Sequence, residues 1–143
     1  MVIRAAAESD LPAVRRLLET ERLPLAGVDE HVSTMVVAKD GRDVVGTAAV
    51  ELYAEGALLR SVVVGADARG QGVGHQLAEA ALSIARARGS RTAFLLTTAA
   101  EHFFPKLGFE RISRDDVPLS VQASVEFHSA CPASVVVMRK RLA

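Results

Sequence analysis

Hydrophobic and polar positions near the start of the chain follow a helical period. Between residues 11 and 18 the apolar side chains recur every three or four positions, which predicts an amphipathic helix that ends before Pro24. Ser9 and Asp10 precede this run as candidate N-caps, and Pro12 falls in the first turn, where proline is tolerated. The first predicted element is therefore a helix.

The next apolar runs are typical of β-strands. The stretch STMVVAKDGRDVVGTAAVELY contains two β-rich runs separated by KDGRD, whose Asp-Gly pair is a strong hairpin signal. A third run, ALLRSVVV, follows a short turn. Together these runs predict three consecutive strands.

The second half of the chain alternates between helix and strand patterns. Apolar residues on one side of VGHQLAEAALSIARA predict a helix stopped by Gly89, and RTAFLLTT predicts a buried strand. A short helical turn closes at Gly108, a further strand begins at Phe109, and ASVVVMRKRL predicts the last strand.

The segment between these last two strands is less regular. Asp116 is a candidate cap for a short helix that would turn Val117, Val121 and Val125 inward. The whole order, a helix, three strands, then βα units and a closing strand, is typical of an α/β or α+β fold with a mixed sheet. Because the 143 residues contain no repeat, low-complexity tract or linker, we expect a single domain over residues 1–143.

Charge and composition exclude several classes of function. The 17 basic and 17 acidic side chains cancel, which argues against binding to nucleic acid or to an anionic membrane. No apolar run is long enough to cross a bilayer, and the N-terminus is unlike a signal peptide, so we expect a cytoplasmic protein. The single cysteine, Cys131, excludes an internal disulfide, and no His and Cys spacing indicates a metal site.

The sequence RGQGVG at positions 69–74 directly precedes the second predicted helix. A helix N-terminus exposes unpaired backbone amides and carries a partial positive charge, so it favours anions. Glycines let the backbone approach a ligand and adopt positive φ angles, and Arg69 adds a charge beside them. The pattern indicates a phosphate-binding loop, although a tight strand-to-helix turn would use the same glycines.

Two familiar phosphate loops do not match this pattern. A dinucleotide fold places its glycines in the first βαβ unit, with an acidic residue about 20 positions later; here the loop lies mid-chain and Arg88 and Arg91 stand near that distance. An NTPase loop ends in Gly-Lys-Ser/Thr, whereas this loop ends in Gly74 and His75. The loop does match a third pattern, Arg/Gln-x-x-Gly-x-Gly/Ala, at Arg69, Gly72 and Gly74.

Two stretches resemble the GCN5-related N-acetyltransferase (GNAT) family. VVVGADARGQGVGHQLAEAAL resembles its fourth strand, pyrophosphate loop and third helix, and FFPKLGFER resembles its F-Y-x-x-x-G-F segment further along. The resemblance implies the GNAT fold, with a mixed, mostly antiparallel central sheet of six to seven strands and flanking helices. It also implies direct transfer of the acetyl group of acetyl-CoA to an amine, without a metal.

The resemblance assigns coenzyme contacts to the matching positions. Backbone groups of the strand before the loop would pair with pantetheine and polarise the acetyl carbonyl, and the loop amides would hold the pyrophosphate. Thr97 stands where the family often has an asparagine that reaches the pantetheine arm, and Phe103 with Phe104 would line the cleft. The predicted coenzyme-binding residues are Val62, Val63, Val64, Arg69, Gly70, Gln71, Gly72, Val73, Gly74, His75, Thr97 and Phe104.

The chain departs from the family at the general acid. Many members carry a tyrosine where this chain has Phe104, and a phenyl ring cannot donate a proton. On an alternating strand Glu51 and Tyr53 share one face. We predict Glu51 as the general base, acting through water, and Tyr53 as the replacement acid; the alternative is that Glu51 is an ordinary solvated charge.

An amino-acid acceptor would bring a carboxylate, which an arginine binds through two parallel hydrogen bonds. Arg60, with Ser61 beside it, is the first candidate for that contact and Arg114 is the second, although an ordinary ion pair would also explain either arginine. His102 is a weaker candidate base, and Cys131 is interpreted as a small buried hydrophobe.

Within the family, the chain is most similar to the small amino-acid N-acetyltransferases of the arsenic-resistance type and to the catalytic domain of N-acetylglutamate synthases. The stretches ERLPLAGVDEH and LLTTAAEHFFPKLGFERISRDDVP carry this similarity. It implies a small amino acid, or a toxin such as the glutamate mimic arsinothricin, as the acceptor. Two alternatives remain: an acetyl-CoA-binding sensor without turnover, favoured by Phe104, and acetylation of protein amines. A homodimer is compatible with the pattern.

Overall fold

The computed structural model describes residues 1–98, 103–129 and 135–142, apart from the side chains at positions 128 and 129. Seven strands form one sheet in the order β1-β2-β3-β4-β5-β7-β6. They span Val2–Ala5 (β1), Met35–Asp40 (β2), Asp43–Tyr53 (β3), Gly56–Val64 (β4), Thr92–Thr97 (β5), Glu110–Ile112 (β6) and Val136–Arg141 (β7). Among the described residues, only β4 and β5 pair in parallel, which confirms the expected mixed, mostly antiparallel sheet.

In the described part of the chain, four α-helices and several 3₁₀ turns connect these strands. The α-helices span Leu11–Thr20 (α1), Val73–Ala87 (α2), Leu119–Gln122 (α3) and Val125–Ser129 (α4). The 3₁₀ turns span Glu8–Asp10, Asp29–Thr34, Ala66–Ala68, Phe104–Leu107 and Arg114–Asp116. Within the described residues, no helix is both long and apolar enough to cross a bilayer.

The first element is strand β1, so the prediction that the chain opens with a helix was wrong. Only Ile3 of this strand is partly buried, and four residues with one inward side chain give no readable period. Asp10 occupies the N-cap position of α1, as predicted, but its side chain makes no capping hydrogen bond to that helix. Its carboxylate instead accepts hydrogen bonds from the Ala7 amide at 2.8 Å and from Arg4 at 2.9 Å, which joins β1 to the start of the helix.

The irregular segment differs from the prediction in one part. Helix α3 begins after Pro118, and Asp116 belongs to a separate 3₁₀ turn. Val117 and Val121 are buried as predicted, whereas Val125 is 38% exposed. Because α3 lasts only four residues and α4 starts anew at Val125, the helical phase that placed the three valines on one face is broken.

Apolar side chains cover both faces of the sheet. Helix α2 packs on one face, where it closely approaches Gly46: a Cβ atom at this glycine would lie 2.7 Å from Leu77 Cδ1. Helix α1 contributes Val14 and Leu18 to a cluster on the opposite face. A third cluster places Leu58 of β4 beneath α3 and α4. The sheet is thus a rigid platform between α2 and the shorter helices.

Two irregularities in the middle of the sheet open a cleft. The parallel pairing of β4 with β5 stops at Leu58 and Phe94, so the two strands diverge beyond this pair. On the other side of β4, the register with β3 shifts between Thr47 and Ala49. Ser61 lies at this bulge with a φ of 58°, a left-handed conformation uncommon for a residue with a side chain.

Candidate functional site

A cavity of about 620 Å³ occupies the cleft beside the end of β4 and the start of α2. Its floor is β4, its rim is the glycine-rich loop, and the turn Phe104–Leu107 forms another wall. The lining residues are Val62, Val63, Val64, Ala68, Arg69, Gly70, Gly72, Val73, Gly74, His75, Phe103, Phe104 and Lys106.

The glycine-rich loop presents unused backbone amides to this cavity. Gly70 and Gly72 have φ angles of 83° and 76°, and a Cβ at either would meet no atom within 4 Å, so conformation rather than crowding favours glycine there. Among the backbone hydrogen bonds outside helices and strands, no described amide from residue 70 to 75 is a donor. The loop therefore fits an anionic group at the N-terminus of the 15-residue helix α2.

Two cationic side chains accompany these amides. Arg69 donates to the Val64 carbonyl at 3.0 Å and forms an exposed ion pair with Glu21. Lys106 is exposed and lines the cavity. Since exposed ion pairs contribute only about 0–1 kcal/mol, an incoming phosphate could replace Glu21 as the partner of Arg69 at little cost.

Most of the predicted coenzyme residues lie together around this cavity. Gln71 and Thr97 are exceptions, because neither is among the lining residues; Thr97 is partly buried at the end of β5. Sequence reasoning missed Ala68 and Lys106. Lys106 could have been predicted, because it lies two positions after Phe104 inside the family-like FFPKLGF segment.

Aromatic rings close one wall of the cavity. Phe104 is 7% exposed and contacts Phe103 and Phe109 edge to face, with ring centroids 5.1 and 5.9 Å apart. This position therefore contributes packing and no exchangeable proton. A proton for the leaving thiolate would have to come from another group or from water.

A second polar cluster, the Glu51 cluster, lies on the other face of the sheet and contains Glu51, Arg60, Glu126, Tyr53 and Ser124. Glu51 is fully buried, and its Oε1 accepts hydrogen bonds from the Tyr53 and Ser124 hydroxyls. Its Oε2 accepts from Arg60 Nη1 at 2.7 Å. The predicted proximity of Glu51, Tyr53 and Arg60 is confirmed, and Glu51 is not solvated.

Arg60 is only 3% exposed and is held by several groups. Besides Glu51, its Nε donates to Ser61 Oγ at 3.2 Å and its Nη2 donates to the Pro24 carbonyl at 3.5 Å. Gly27 seals this region: a Cβ there would lie 3.1 Å from Arg60 Nη1 and 3.0 Å from Val125. The loop after α1 and helix α4 therefore meet above the guanidinium.

Burial and hydrogen bonding shift the pKa values of Glu51 and Tyr53 in opposite directions. Burial by itself raises the pKa of Glu51, but the hydrogen bonds from Ser124, Tyr53 and Arg60 outweigh it and hold the pKa below its usual value. Burial and the neighbouring Glu51 raise the pKa of Tyr53 to about 12. At neutral pH Glu51 is thus ionised with both oxygens engaged, and Tyr53 stays protonated as its donor.

Besides Ser124, two members of this region were missed by sequence reasoning. His31, in the turn Asp29–Thr34, places Nε2 3.4 Å from Glu51 Oε2. Glu126, in α4, is 7% exposed and lies 3.7 Å from Arg60 Nη2. Burial, and secondarily the charge of Glu51, raise the pKa of Glu126 despite the attraction of Arg60. No local pattern around either residue indicates that it reaches β3 and β4.

The remaining candidates from the sequence lie elsewhere. Arg114 donates to the Phe127 carbonyl at 2.9 Å and stacks over its ring at 5.2 Å, so it anchors α4 and makes no contact with Arg60. His102 and Cys131 lie outside the described residues. In the described part of the chain, no group of three His, Cys, Asp or Glu side chains is arranged to hold a metal ion.

Known proteins share both the fold and the sequence pattern. The acetyltransferase (GNAT) domain model matches residues 31–111. An amino-acid acetyltransferase of Mycobacterium tuberculosis is 31% identical over 131 residues, which cover 84% of this chain and 74% of that protein. A second amino-acid acetyltransferase, from Ralstonia nicotianae, is 33% identical over 110 residues, which cover 76% of this chain.

Among solved structures, N-acetylglutamate synthase from Neisseria gonorrhoeae, in complex with coenzyme A and N-acetyl-glutamate, superposes with a TM-score of 0.85 at 23% identity. The match covers 99% of this chain but 35% of the synthase, and the Ralstonia match covers 22% of its protein, so the chain spans a minor part of both. The domain match over more than half of the chain, together with the Mycobacterium relative, shows that the chain belongs to the GNAT acetyltransferase family.

Proposed function

We propose that the chain transfers the acetyl group of acetyl-CoA directly to the α-amine of a small amino acid or an amino-acid-like toxin. The observation that carries the proposal is the cavity beside the end of β4 and the start of α2, bordered by free amides of the glycine loop and by two cations. Relatives named amino-acid acetyltransferases support the acceptor class. Glutamate and its mimics phosphinothricin and arsinothricin are the first acceptors to test.

In this proposal each part of the cavity has one task. Backbone groups of Val62, Val63 and Val64 hold the pantetheine arm and polarise the acetyl carbonyl. Amides from Gly70 to His75, with Arg69 and Lys106, hold the phosphates, and the apolar wall at Phe104 limits access of water. Acetyl-CoA supplies the activated acyl group, and the chain supplies position and charge.

Thiol release from acetyl-CoA across the twenty amino acids and the two glutamate mimics is the direct test. We expect release with a glutamate-like acceptor and a KM for acetyl-CoA that rises in Arg69→Ala. Arg15→Ala is the matched control, because both arginines form exposed ion pairs with side-chain exposures of 52% and 51%. Acetylpantetheine, which lacks the pyrophosphate, should be a much poorer donor for the wild type, and equal use of both donors would contradict the assigned loop.

A second candidate is an acetyl-CoA-binding sensor without turnover. Two observations favour it: Phe104 has no proton to donate, and Glu51 is buried with both oxygens occupied. Calorimetric binding of acetyl-CoA combined with no thiol release for any acceptor would support the sensor over the enzyme.

A further inference from the structure

The described residues include three buried carboxylates, and they differ in their partners. Asp10 is held by Arg4 and the Ala7 amide, and Glu51 accepts from three side chains. Glu126 is buried to the same degree, but no hydrogen bond from another described residue reaches its carboxylate. Its nearest positive group, Arg60 Nη2, is 3.7 Å away. Among the described residues, Glu126 is therefore held by the attraction of Arg60, without a direct hydrogen bond to its carboxylate.

The charges around Glu126 favour a cation. Glu51 and Glu126 face a single guanidinium, and the 2.7 Å hydrogen bond commits Arg60 to Glu51. His31 adds a positive charge only when it is protonated, and it contacts Glu51 rather than Glu126. The cluster thus carries an excess of negative charge that an ammonium group would neutralise, whereas a further carboxylate would increase it.

The position of Glu126 connects this cluster to the coenzyme cavity. Arg60, which Glu126 approaches, lies two residues before Val62, where the cavity begins. The side chains of the cluster lie on the face opposite α2, so an amine and a coenzyme would approach β4 from different sides.

We propose that Glu126 binds the ammonium group of the acceptor and takes a proton from it. This assignment rests on the proposed amino-acid acetyltransferase function and adds the residue that prepares the amine. It differs from the sequence-based prediction of Glu51 as the base, since the oxygens of Glu51 already accept hydrogen bonds from Tyr53, Ser124 and Arg60.

In the proposed reaction the nitrogen loses two protons, one to Glu126 and one to the leaving thiolate. One N–H bond of the ammonium breaks and its proton moves to a Glu126 carboxylate oxygen, which leaves a neutral amine with a lone pair. That pair forms the new C–N bond at the acetyl carbonyl carbon while the C–S bond breaks and its electrons stay on sulfur. The thiolate takes the second proton lost by nitrogen, and Glu126 later releases the first to solvent.

The electrostatics of Glu126 agree with this role. Burial and the charge of Glu51 raise its pKa, and only Arg60 opposes them, so its basicity is higher than that of an ordinary carboxylate. Glu51 has the opposite shift. Of the two carboxylates near Arg60, both the geometry and the basicity favour Glu126 as the proton acceptor.

Glu126→Gln, which keeps the size and removes the charge, tests the assignment, with Glu126→Asp as the conservative variant and Glu110→Gln as a control at an exposed carboxylate. With the best acceptor from the thiol-release panel, we expect kcat/KM to fall about 100-fold or more in Glu126→Gln. The acidic limb of its pH profile should be lost, Glu126→Asp should be intermediate, and coenzyme A affinity should be unchanged in all three variants.

Thermal unfolding without any ligand provides a readout independent of activity. The pKa of the Glu126 carboxyl is higher in the folded protein than its unfolded value of 4.5. Such a group lowers the stability of the fold as the pH rises from 4.5 through the folded pKa. Glu126→Gln should therefore melt at or above the wild-type temperature at pH 7, and the difference should vanish below pH 4.5.

Three outcomes would overturn the assignment. If Glu126→Gln keeps activity within about threefold and retains the wild-type pH profile, another group takes the proton. If activity and melting temperature fall together, Glu126 is structural. If the wild type binds acetyl-CoA but acetylates no amine, the proposed function fails as well, which separates that result from the first two.

Discussion

Glu51 and Arg60 form the most deeply buried ion pair among the described residues, with side-chain exposures of 0% and 1%. Glu51→Gln removes the charge and keeps Oε1 as an acceptor for Tyr53 and Ser124. The new amide would turn an N–H donor toward Arg60 Nη1, where a carboxylate oxygen now accepts at 2.7 Å. The substitution therefore removes the carboxylate charge and its hydrogen bond from Arg60, together with the 3.4 Å contact to His31.

The expected loss of stability follows from the burial of Arg60. Removing one partner of a buried pair leaves an uncompensated charge and typically costs about 3–5 kcal/mol. Glu126, 3.7 Å from Nη2, supplies part of the missing negative charge, which places the expectation near the lower end, about 3 kcal/mol. That loss corresponds to roughly 100-fold in the unfolding equilibrium constant.

Urea unfolding at pH 7 measures this loss, with Glu110→Gln as the matched control. Glu110 pairs with Arg139 at 3.0 Å, but its side chain is 67% exposed, so that substitution should change the free energy of unfolding by less than about 1 kcal/mol. In Glu51→Gln combined with Arg60→Met, part of the loss should return because no guanidinium remains buried without its partner.

The pH dependence supplies an independent check of the sign. The folded pKa of Glu51 lies below the unfolded value of 4.5, so its stabilisation is present above that pH and disappears as the pH falls through the folded pKa. The gap between wild type and Glu51→Gln should narrow in acid. A loss below about 1 kcal/mol at pH 7, or a gap that does not change with pH, would refute the ionised buried pair.

Three further predictions concern Tyr53 as a candidate general acid, Gly72 in the glycine-rich loop and the cation Lys106. Tyr53→Phe should lower kcat by far less than the roughly 100-fold expected for loss of a general acid. The free energy of unfolding should fall by about 1 kcal/mol, because Glu51 loses one hydrogen-bond donor. A decrease in kcat of about 100-fold would instead identify Tyr53 as the acid. Gly72→Ala should cost about 1–2 kcal/mol in the free energy of unfolding, because φ is 76°, and should weaken coenzyme A binding in calorimetry; unchanged affinity would contradict the loop geometry. Lys106→Ala should weaken coenzyme A binding by about 1 kcal/mol at low salt and by less at high salt. If the effect of the substitution does not depend on the salt concentration, Lys106 does not contact the phosphates.

Local sequence patterns predicted most of the residues around the cavity because these residues are nearly contiguous in the sequence. The strand Gly56–Val64, the loop and helix α2 follow one another, so the glycine pattern and the helical period place them without any long-range information. Strand alternation likewise placed Glu51 and Tyr53 on one face. Both inferences need only the geometry of a single element or of two adjacent ones.

The Glu51 cluster depends on contacts that no local pattern contains. Helix α4 has five residues, and its packing on β4 depends on Arg114 anchoring Phe127 and on Ser124 reaching Glu51. A short helix has too few residues for a readable period, so Glu126 was missed and Val125 was assigned to the core. Strand β1 was missed for the same reason, since the pairing with β2 rather than its own pattern defines it.

The bulge at Ser61 explains how one strand contributes to both the Glu51 cluster and the cavity. The β3 register advances by two residues, from Thr47 to Ala49, while β4 advances by three, from Val63 to Arg60. This extra residue changes the alternation, so that Arg60 and Val63 lie on the α1 side and Val62 and Val64 pack toward α2. Before the bulge β4 therefore supplies a charged side chain to the Glu51 cluster, and after it the strand supplies apolar side chains and backbone groups to the cavity. A regular strand would have placed Val62 on the face of Arg60, so the left-handed backbone at Ser61 is the structural condition for the two sites to meet within a few residues.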